Sequence, residues 1–264
     1  TTARNLLEAG FDGFEVHLGH GHLLQQFLSP ASNQRDDDYG GSEANRRRFP
    51  LEVLRAVRDE VGPDVCMGVR VSGEEFIEGG LHLDEMVRQF SAIATSVQLD
   101  FVNTSHSAYQ GEYSLATQMA DMGMDRAEFR HIPRAFRDQI AADGLSIPIM
   151  SVCRYTDISQ AEHMLATEQA DMIGLARAHM AEPALVAKSR TGREDEICPC
   201  IGCNQGCAGH LQKDLAVTCL TNPRMGREAE WPLPTDHRAP SGKTRVAIVG
   251  AGPQRGDETL VRIN

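Results

Sequence analysis

Short apolar runs alternate with stretches of helical periodicity along most of the chain. Residues 14–18 read as a strand, and 42–61 as a helix capped by Ser42, with Phe49, Val53, Leu54 and Val57 on one face. Pro50 falls inside that span and marks a kink or a late start. Residues 65–71 form the next predicted strand, followed by a helix over 83–96 begun near Asp84. A short strand over 101–104 precedes a long loop rich in Gly, Ser, Met and Tyr. A helix over 126–142, a strand over 147–152, a helix over 157–165 capped by Asp157 and a strand over 171–175 continue the pattern. Glu182-Pro183 opens one more helix, with proline in its first turn.

Strand and helix repeating at about 30–40 residues imply parallel strands joined by crossover helices. An open doubly wound sheet and a (β/α)8 barrel both fit. Polar residues fall at the C-terminal ends of the strands: His17, Arg70, Asn103, Arg154 and Arg177. Both folds place their sites at that edge, so the placement does not choose between them. Five strands cannot close an eight-stranded barrel. If the fold is a barrel, three strands precede Thr1, and the opening Thr1-Thr2-Ala3-Arg4, which reads as a helix already under way, agrees with a fragment.

Composition narrows the partners. The formal net charge of −11 argues against nucleic acid or an anionic membrane. No apolar run approaches the roughly 20 residues of a membrane span, and no signal peptide is present, so the expectation is a cytoplasmic protein acting on a small molecule, with oligomeric state left open. The 264 residues hold seven cysteines, four of them clustered, which fits a reducing compartment and a metal centre better than a disulfide framework.

Those four are Cys200, Cys203, Cys207 and Cys219, spaced C-x2-C-x3-C-x11-C in a glycine-containing run. Zinc sites more often show two C-x2-C knuckles, and only the first pair fits that form. Three clustered cysteines and one remote cysteine match an iron–sulfur centre, with zinc and plain structural thiols as the alternatives. Cys198 breaks the spacing. A Pro-rich stretch then leads to Arg245-Val-Ala-Ile-Val-Gly-Ala-Gly-Pro253, the opening of a dinucleotide-binding strand and turn. Arg255 stands where a third glycine belongs, and residues 257–264 carry no helical apolar face.

Taken together, Phe11-Asp-Gly-Phe-Glu-Val-His17-x-x-His20-Gly, Gln26-Phe-Leu-Ser-Pro, Asn33-x-Arg35-x-Asp37-x-Tyr39-Gly-Gly-Ser42, Asn45-Arg46 and Gly68-Val-Arg70 resemble the Old Yellow Enzyme family of FMN barrels. The Cys-Ile-Gly-Cys-Asn-Gln and Thr221-Asn-Pro-Arg segments are similar to its multidomain branch, which contains 2,4-dienoyl-CoA reductase and trimethylamine dehydrogenase. The resemblance implies an FMN-binding (β/α)8 TIM barrel, of which 1–195 is the part from the fourth strand onward. It also implies a [4Fe–4S] segment at 196–230, a linker at 231–244 and, at 245–264, the truncated start of a Rossmann-like domain for NAD(P)H, with FAD as a further candidate.

The same resemblance implies roles for individual residues. His17 and His20 hold a substrate oxygen over the flavin; the plainer alternative is a pair of histidines satisfied within a loop. Two positions on, relatives often carry a proton-donating tyrosine, and this chain has His22. Arg70 matches the arginine beside the flavin, where a cation stabilises the reduced ring. Arg154, Gly174, Ala176 and Arg177 match the phosphate-binding loops, with Cys153 where relatives often have glycine. The Asn33–Ser42 motif reads as architecture at the barrel mouth. His106, Tyr109 and Tyr113 are within reach of a substrate but match no family position. The expected activity is NAD(P)H-dependent reduction of an activated C=C bond. Amine dehydrogenation or N-demethylation is one alternative, and an inactive cluster-binding fragment is another.

Overall fold

The computed structural model describes residues 2–231; the Gly-Ala-Gly run and most of the linker before it lie outside those residues. Helix α1 (Thr2–Glu8) leads into β1 (Gly13–Leu18), then α2 (Leu23–Leu28), α3 (Glu43–Val61), β2 (Cys66–Ser72), α4 (Leu83–Ala94) and β3 (Phe101–Ser105). Next come α5 (Glu112–Gln118), α6 (His131–Ala142), β4 (Ile149–Val152), α7 (Ile158–Ala166), β5 (Met172–Gly174), α8 (Ala176–Ala181) and α9 (Leu185–Arg190). A 3-10 turn and the cysteine segment with α10 (Ala208–Leu211) complete the body, which runs to Gly226. No helix among the described residues is long and apolar enough to cross a membrane.

Every adjacent pair of strands is parallel, and the sheet order is β1-β2-β3-β4-β5. Strictly sequential order is the order of a (β/α) barrel. A doubly wound sheet reverses direction at a switch point, and none occurs among these five strands.

The register sorts side chains into two faces. One row, Val16–Val69–Val102–Ile149, lies on the face that packs against the helices. Leu54, Met86, Phe90, Ile93 and Phe136, all essentially inaccessible, close over it. The adjacent row is His17–Arg70–Asn103–Met150–Met172, on the opposite face. Period-two alternation therefore carries a polar row into the sheet interior while the other face stays apolar.

Three expectations shift. Helix α6 starts at His131 rather than near 126, because 126–130 is a turn with Ala127 at φ 54. Strand β4 starts two residues late, at Ile149. The helix expected from Glu182-Pro183 is α9, beginning at Leu185, with α8 before it. Pro50 does not break α3, which runs unbroken from Glu43 to Val61; Ser42 caps it, accepting from the Asn45 N–H.

At the N-terminal ends of the strands one device occurs twice. Asp100, just before β3, accepts from the Met67 N–H of β2 at 2.8 Å and from Arg58 of α3 at 2.7 Å. Asp171, just before β5, accepts from the Ile149 N–H of β4 at 2.8 Å and from Arg137 of α6 at 2.7 Å. Each ties two strands and a helix together. Burial works to raise both carboxyls, but these bonds outweigh it and hold both below the usual carboxylate range. Their contribution is present above the unfolded-state value and lost as pH falls through the folded one. Asp100→Ala leaves the Met67 N–H and Arg58 without their shared acceptor. Urea denaturation at pH 7 should show a loss of about 2 kcal/mol, shrinking towards pH 3; no change at pH 7 would contradict this role.

Candidate functional site

The loops at the C-terminal ends of β1 to β5 enclose a cavity of about 620 Å³, lined among others by His20, Arg70, Asn103, His106, Arg154, Gly174, Ala176 and Arg177. Six of the sequence-derived catalytic and cofactor residues thus line one cavity. Gly174 is needed there, because a Cβ would come within 2.7 Å of Val152. His17 and His22 do not line the cavity. They pack beside His20, with ring centroids 5.0 Å apart for His17–His20 and 4.7 Å for His17–His22, and Tyr109 continues the chain 5.4 Å from His22.

His20 sits at φ 56 in the left-handed region, followed by Gly21 at φ 74, so the chain turns sharply off β1. Its N–H donates to Ser72 Oγ at 2.9 Å, and its Nε2 lies 2.8 Å from Ser105 Oγ. Burial, reinforced by Arg70, pulls its pKa down to about 3. His17 is lowered too, by burial and then by His22 and Arg70. Both rings are therefore neutral near pH 7. His17 Nδ1 accepts from the Gly19 N–H at 3.3 Å, which leaves the ring proton on Nε2.

Cys153 and Arg154 both have positive φ, 122 and 52. The backbone keeps the conformation a glycine would favour although cysteine occupies the position, at a cost of about 1–3 kcal/mol. Strain of that kind collects at ligand sites. The Cys153 thiol is pushed up to about 12 by burial and stays protonated. Arg154 Nε and Nη1 are buried without partners, as is Arg70 Nε. Buried guanidinium nitrogens left bare in a cleft call for an anionic or polar ligand. Arg177 differs: its Nη1 donates to Asn204 Oδ1 at 2.6 Å and to the Ala120 carbonyl at 2.8 Å.

That contact leads to the cysteines. Cys200, Cys203, Cys207 and Cys219 all line a second, smaller pocket, with Arg177, Met180 and Asn204. Gly206 brings its two halves together: the Thr218 N–H donates to the Gly206 carbonyl at 2.7 Å, and a Cβ on Gly206 would lie 2.6 Å from Thr218 Oγ1. Cys198 is outside the pocket and donates to the Thr221 carbonyl. Among the described residues, no three His, Cys, Asp or Glu side chains converge closely enough for a single metal ion. Cys200, Cys207, Arg177 and Met180 line both pockets, so the two sites share a wall.

Glu75 carries no signal in the sequence, yet the structure links it through Gln25 to the turn that carries the histidines. It is a buried carboxylate accepting from Gln25 at 2.7 Å, Ser29 at 2.6 Å and the Leu81 N–H at 2.7 Å, while Gln25 in turn accepts from Gly21 between His20 and His22. Nothing local in Gly73-Glu-Glu-Phe separates Glu75 from its exposed-looking neighbours; only the tertiary loops do. The Asn33 motif is architectural, its amide donating to the carbonyls of Phe27 and Tyr39 at 2.7 Å each.

The model of the NADH:flavin oxidoreductase / NADH oxidase family matches residues 1–196. The chain belongs to this family. Within it, the N,N-dimethylglycine/sarcosine dehydrogenase of Chromohalobacter salexigens is 36% identical over 252 residues, covering 95% of this chain and 35% of that protein. The multifunctional alkene reductase/demethylase of Caballeronia cordobensis is 34% identical over 252 residues, again 95% of this chain and 35% of its own length. A solved 2-naphthoyl-CoA reductase in complex with 2-naphthoyl-CoA superposes with a TM-score of 0.77 at 29% identity, over 86% of this chain and 33% of that one. The chain thus spans about a third of the length of the relatives it matches. The family is one of oxidoreductases, and these relatives are named as a dehydrogenase, an alkene reductase/demethylase and a reductase.

Proposed function

We propose that the protein carrying this chain is an FMN- and [4Fe–4S]-dependent oxidoreductase that uses NAD(P)H to reduce an activated C=C bond. One observation carries the reading: three arginines and no carboxylate line the cavity among the described residues, and its far wall is shared with the four-cysteine pocket. A methylammonium substrate asks for carboxylates or aromatic faces; the described lining has no carboxylate, and its two tyrosines, Tyr109 and Tyr155, stand among three arginines that repel a cation. A cationic wall with neutral imidazoles favours an electron-rich oxygen conjugated to an alkene.

FMN, when bound, supplies hydride chemistry. Arg70, Arg154, Gly174, Ala176 and Arg177 would hold it, and the bare nitrogens of Arg70 and Arg154 fit an anionic cofactor. Arg70 provides a fixed positive charge at the centre of the polar row, stabilising negative charge nearby. His20, on the cavity wall, and His17, packed against it with ring centroids 5.0 Å apart, would be the donors for the substrate oxygen; being neutral, they would polarise it without contributing a net charge. His22 and Tyr109 form the candidate proton relay, their rings adjacent at the loop edge. Cys200, Cys203, Cys207 and Cys219 would hold the cluster, and Cys200 and Cys207 face both cavities.

Steady-state turnover of the full-length protein on enones and dienoyl thioesters, set against methylated amines, tests the reaction class. Alkene reduction with NADH or NADPH is expected. Efficient oxidation of a methylated amine without alkene reduction would refute it and establish the amine-dehydrogenase alternative.

A further inference from the structure

Seven buried side-chain nitrogen and oxygen atoms among the described residues have no partner, and five belong to residues lining the large cavity. Arg70 Nε and Arg154 Nε and Nη1 are donors. The other two, Asn103 Oδ1 and His106 Nδ1, have the opposite character, and their surroundings fix it.

Asn103 Nδ2 lies 2.9 Å from Glu15 Oε2. A carboxylate oxygen only accepts, so the NH2 group points to Glu15 and the amide oxygen is the unpaired end. His106 Nε2 lies 2.8 Å from the Thr117 carbonyl, which also only accepts, so the ring proton is on Nε2. Burial pulls the His106 pKa down to about 4, so the ring is neutral and Nδ1 carries a bare lone pair. The ring cannot swing away, because it stacks on Phe129 with centroids 3.8 Å apart at 23°. Asn103 and His106 are 4% and 2% exposed.

The residues lining the cavity therefore carry buried, unpartnered donors and buried, unpartnered acceptors together. A phosphate or a conjugated carbonyl answers only the donors, and an ammonium group answers only the acceptors while facing three arginines. A hydroxyl answers both, accepting from a guanidinium and donating to an amide oxygen or an imidazole. We propose that Asn103 and His106 form an acceptor subsite for the hydroxyls of a polyol chain, namely the ribityl portion of the flavin. Neither residue is marked by the family motifs in the sequence. The assignment rests on the proposed flavin site and adds a polyol-specific wall to it.

The test titrates apoprotein of the full-length protein with FMN, riboflavin and lumiflavin, which lacks the ribityl chain, following flavin fluorescence. Two variants are compared with the wild type: Asn103→Ala, and His106→Phe, which keeps a ring against Phe129. Both should bind riboflavin and FMN about tenfold more weakly and lumiflavin within twofold of wild type, as for one lost bond to a buried acceptor. Riboflavin affinity unchanged in both variants would overturn the subsite. So would an equal loss for lumiflavin, which would mean general loosening of the cavity. A wild-type apoprotein that takes up none of the three would instead overturn the flavin reading itself, and the subsite with it.

Discussion

Replacing His17 and His20 together by alanine in the full-length protein should cost about 3 kcal/mol or more in kcat/KM for the preferred alkene. The expectation comes from how the two rings are held. His17 Nδ1 is occupied by the Gly19 N–H, so its ring proton sits on Nε2. His20 is anchored at both ends, by Ser72 through its backbone and by Ser105 through its ring. Fixed neutral donors of this kind act mainly on charge that develops during the reaction, so kcat should fall more than KM rises. Flavin content should stay near wild type, because neither residue is among those assigned to hold the cofactor. A double variant retaining kcat/KM within threefold would remove the two histidines from the mechanism.

Loss of any one of the four pocket cysteines should have an all-or-none effect on the metal centre. Cys219→Ser is the most telling, since Cys219 is the proposed remote ligand, twelve residues beyond Cys207. The segment has little else to hold it: α10 is four residues long, and Ile201, Leu211, Leu215 and Leu220 are largely exposed. Its folding free energy would then come in large part from the centre it binds, as in other small metal-organised segments. Cys219→Ser should drop iron from about four atoms per chain to below one and open the segment to limited proteolysis, while residues of the β1–β5 sheet stay protected. Iron and protease resistance unchanged in that variant would remove Cys219 from the centre. Cys198→Ser, outside the pocket, should leave both unchanged.

Much of the fold is readable from residues alone, for physical reasons. The strands are apolar on the helix-facing side, so the 14–18, 65–71 and 101–104 runs stand out, and the structure extends each by one residue or shifts its start. The long helix α3 is legible because Ser42 caps it and its apolar spacing is regular. Relative position is what a single chain of letters hides. His17, Arg70 and Asn103 lie far apart in the chain, and only the parallel register sets them side by side in one row. The short helices α2, α5 and α8 escape notice because six or seven residues carry too little periodicity. Glu75 is invisible for a different reason: its carboxylate is held by Gln25 and Ser29 from the segment after β1 and by Leu81 further along its own loop. Arg177 reads as a phosphate ligand from its motif, and the structure adds a second attachment, to Asn204 between two cysteines.

The shared wall between the two pockets joins the proposed flavin site to the proposed cluster, and one measurement reaches it directly. Full-length protein purified anaerobically should contain one FMN, about four irons and about four acid-labile sulfides per chain, and should bleach with dithionite. Stoichiometric zinc without sulfide, or protein that carries iron but takes up no flavin, would contradict it.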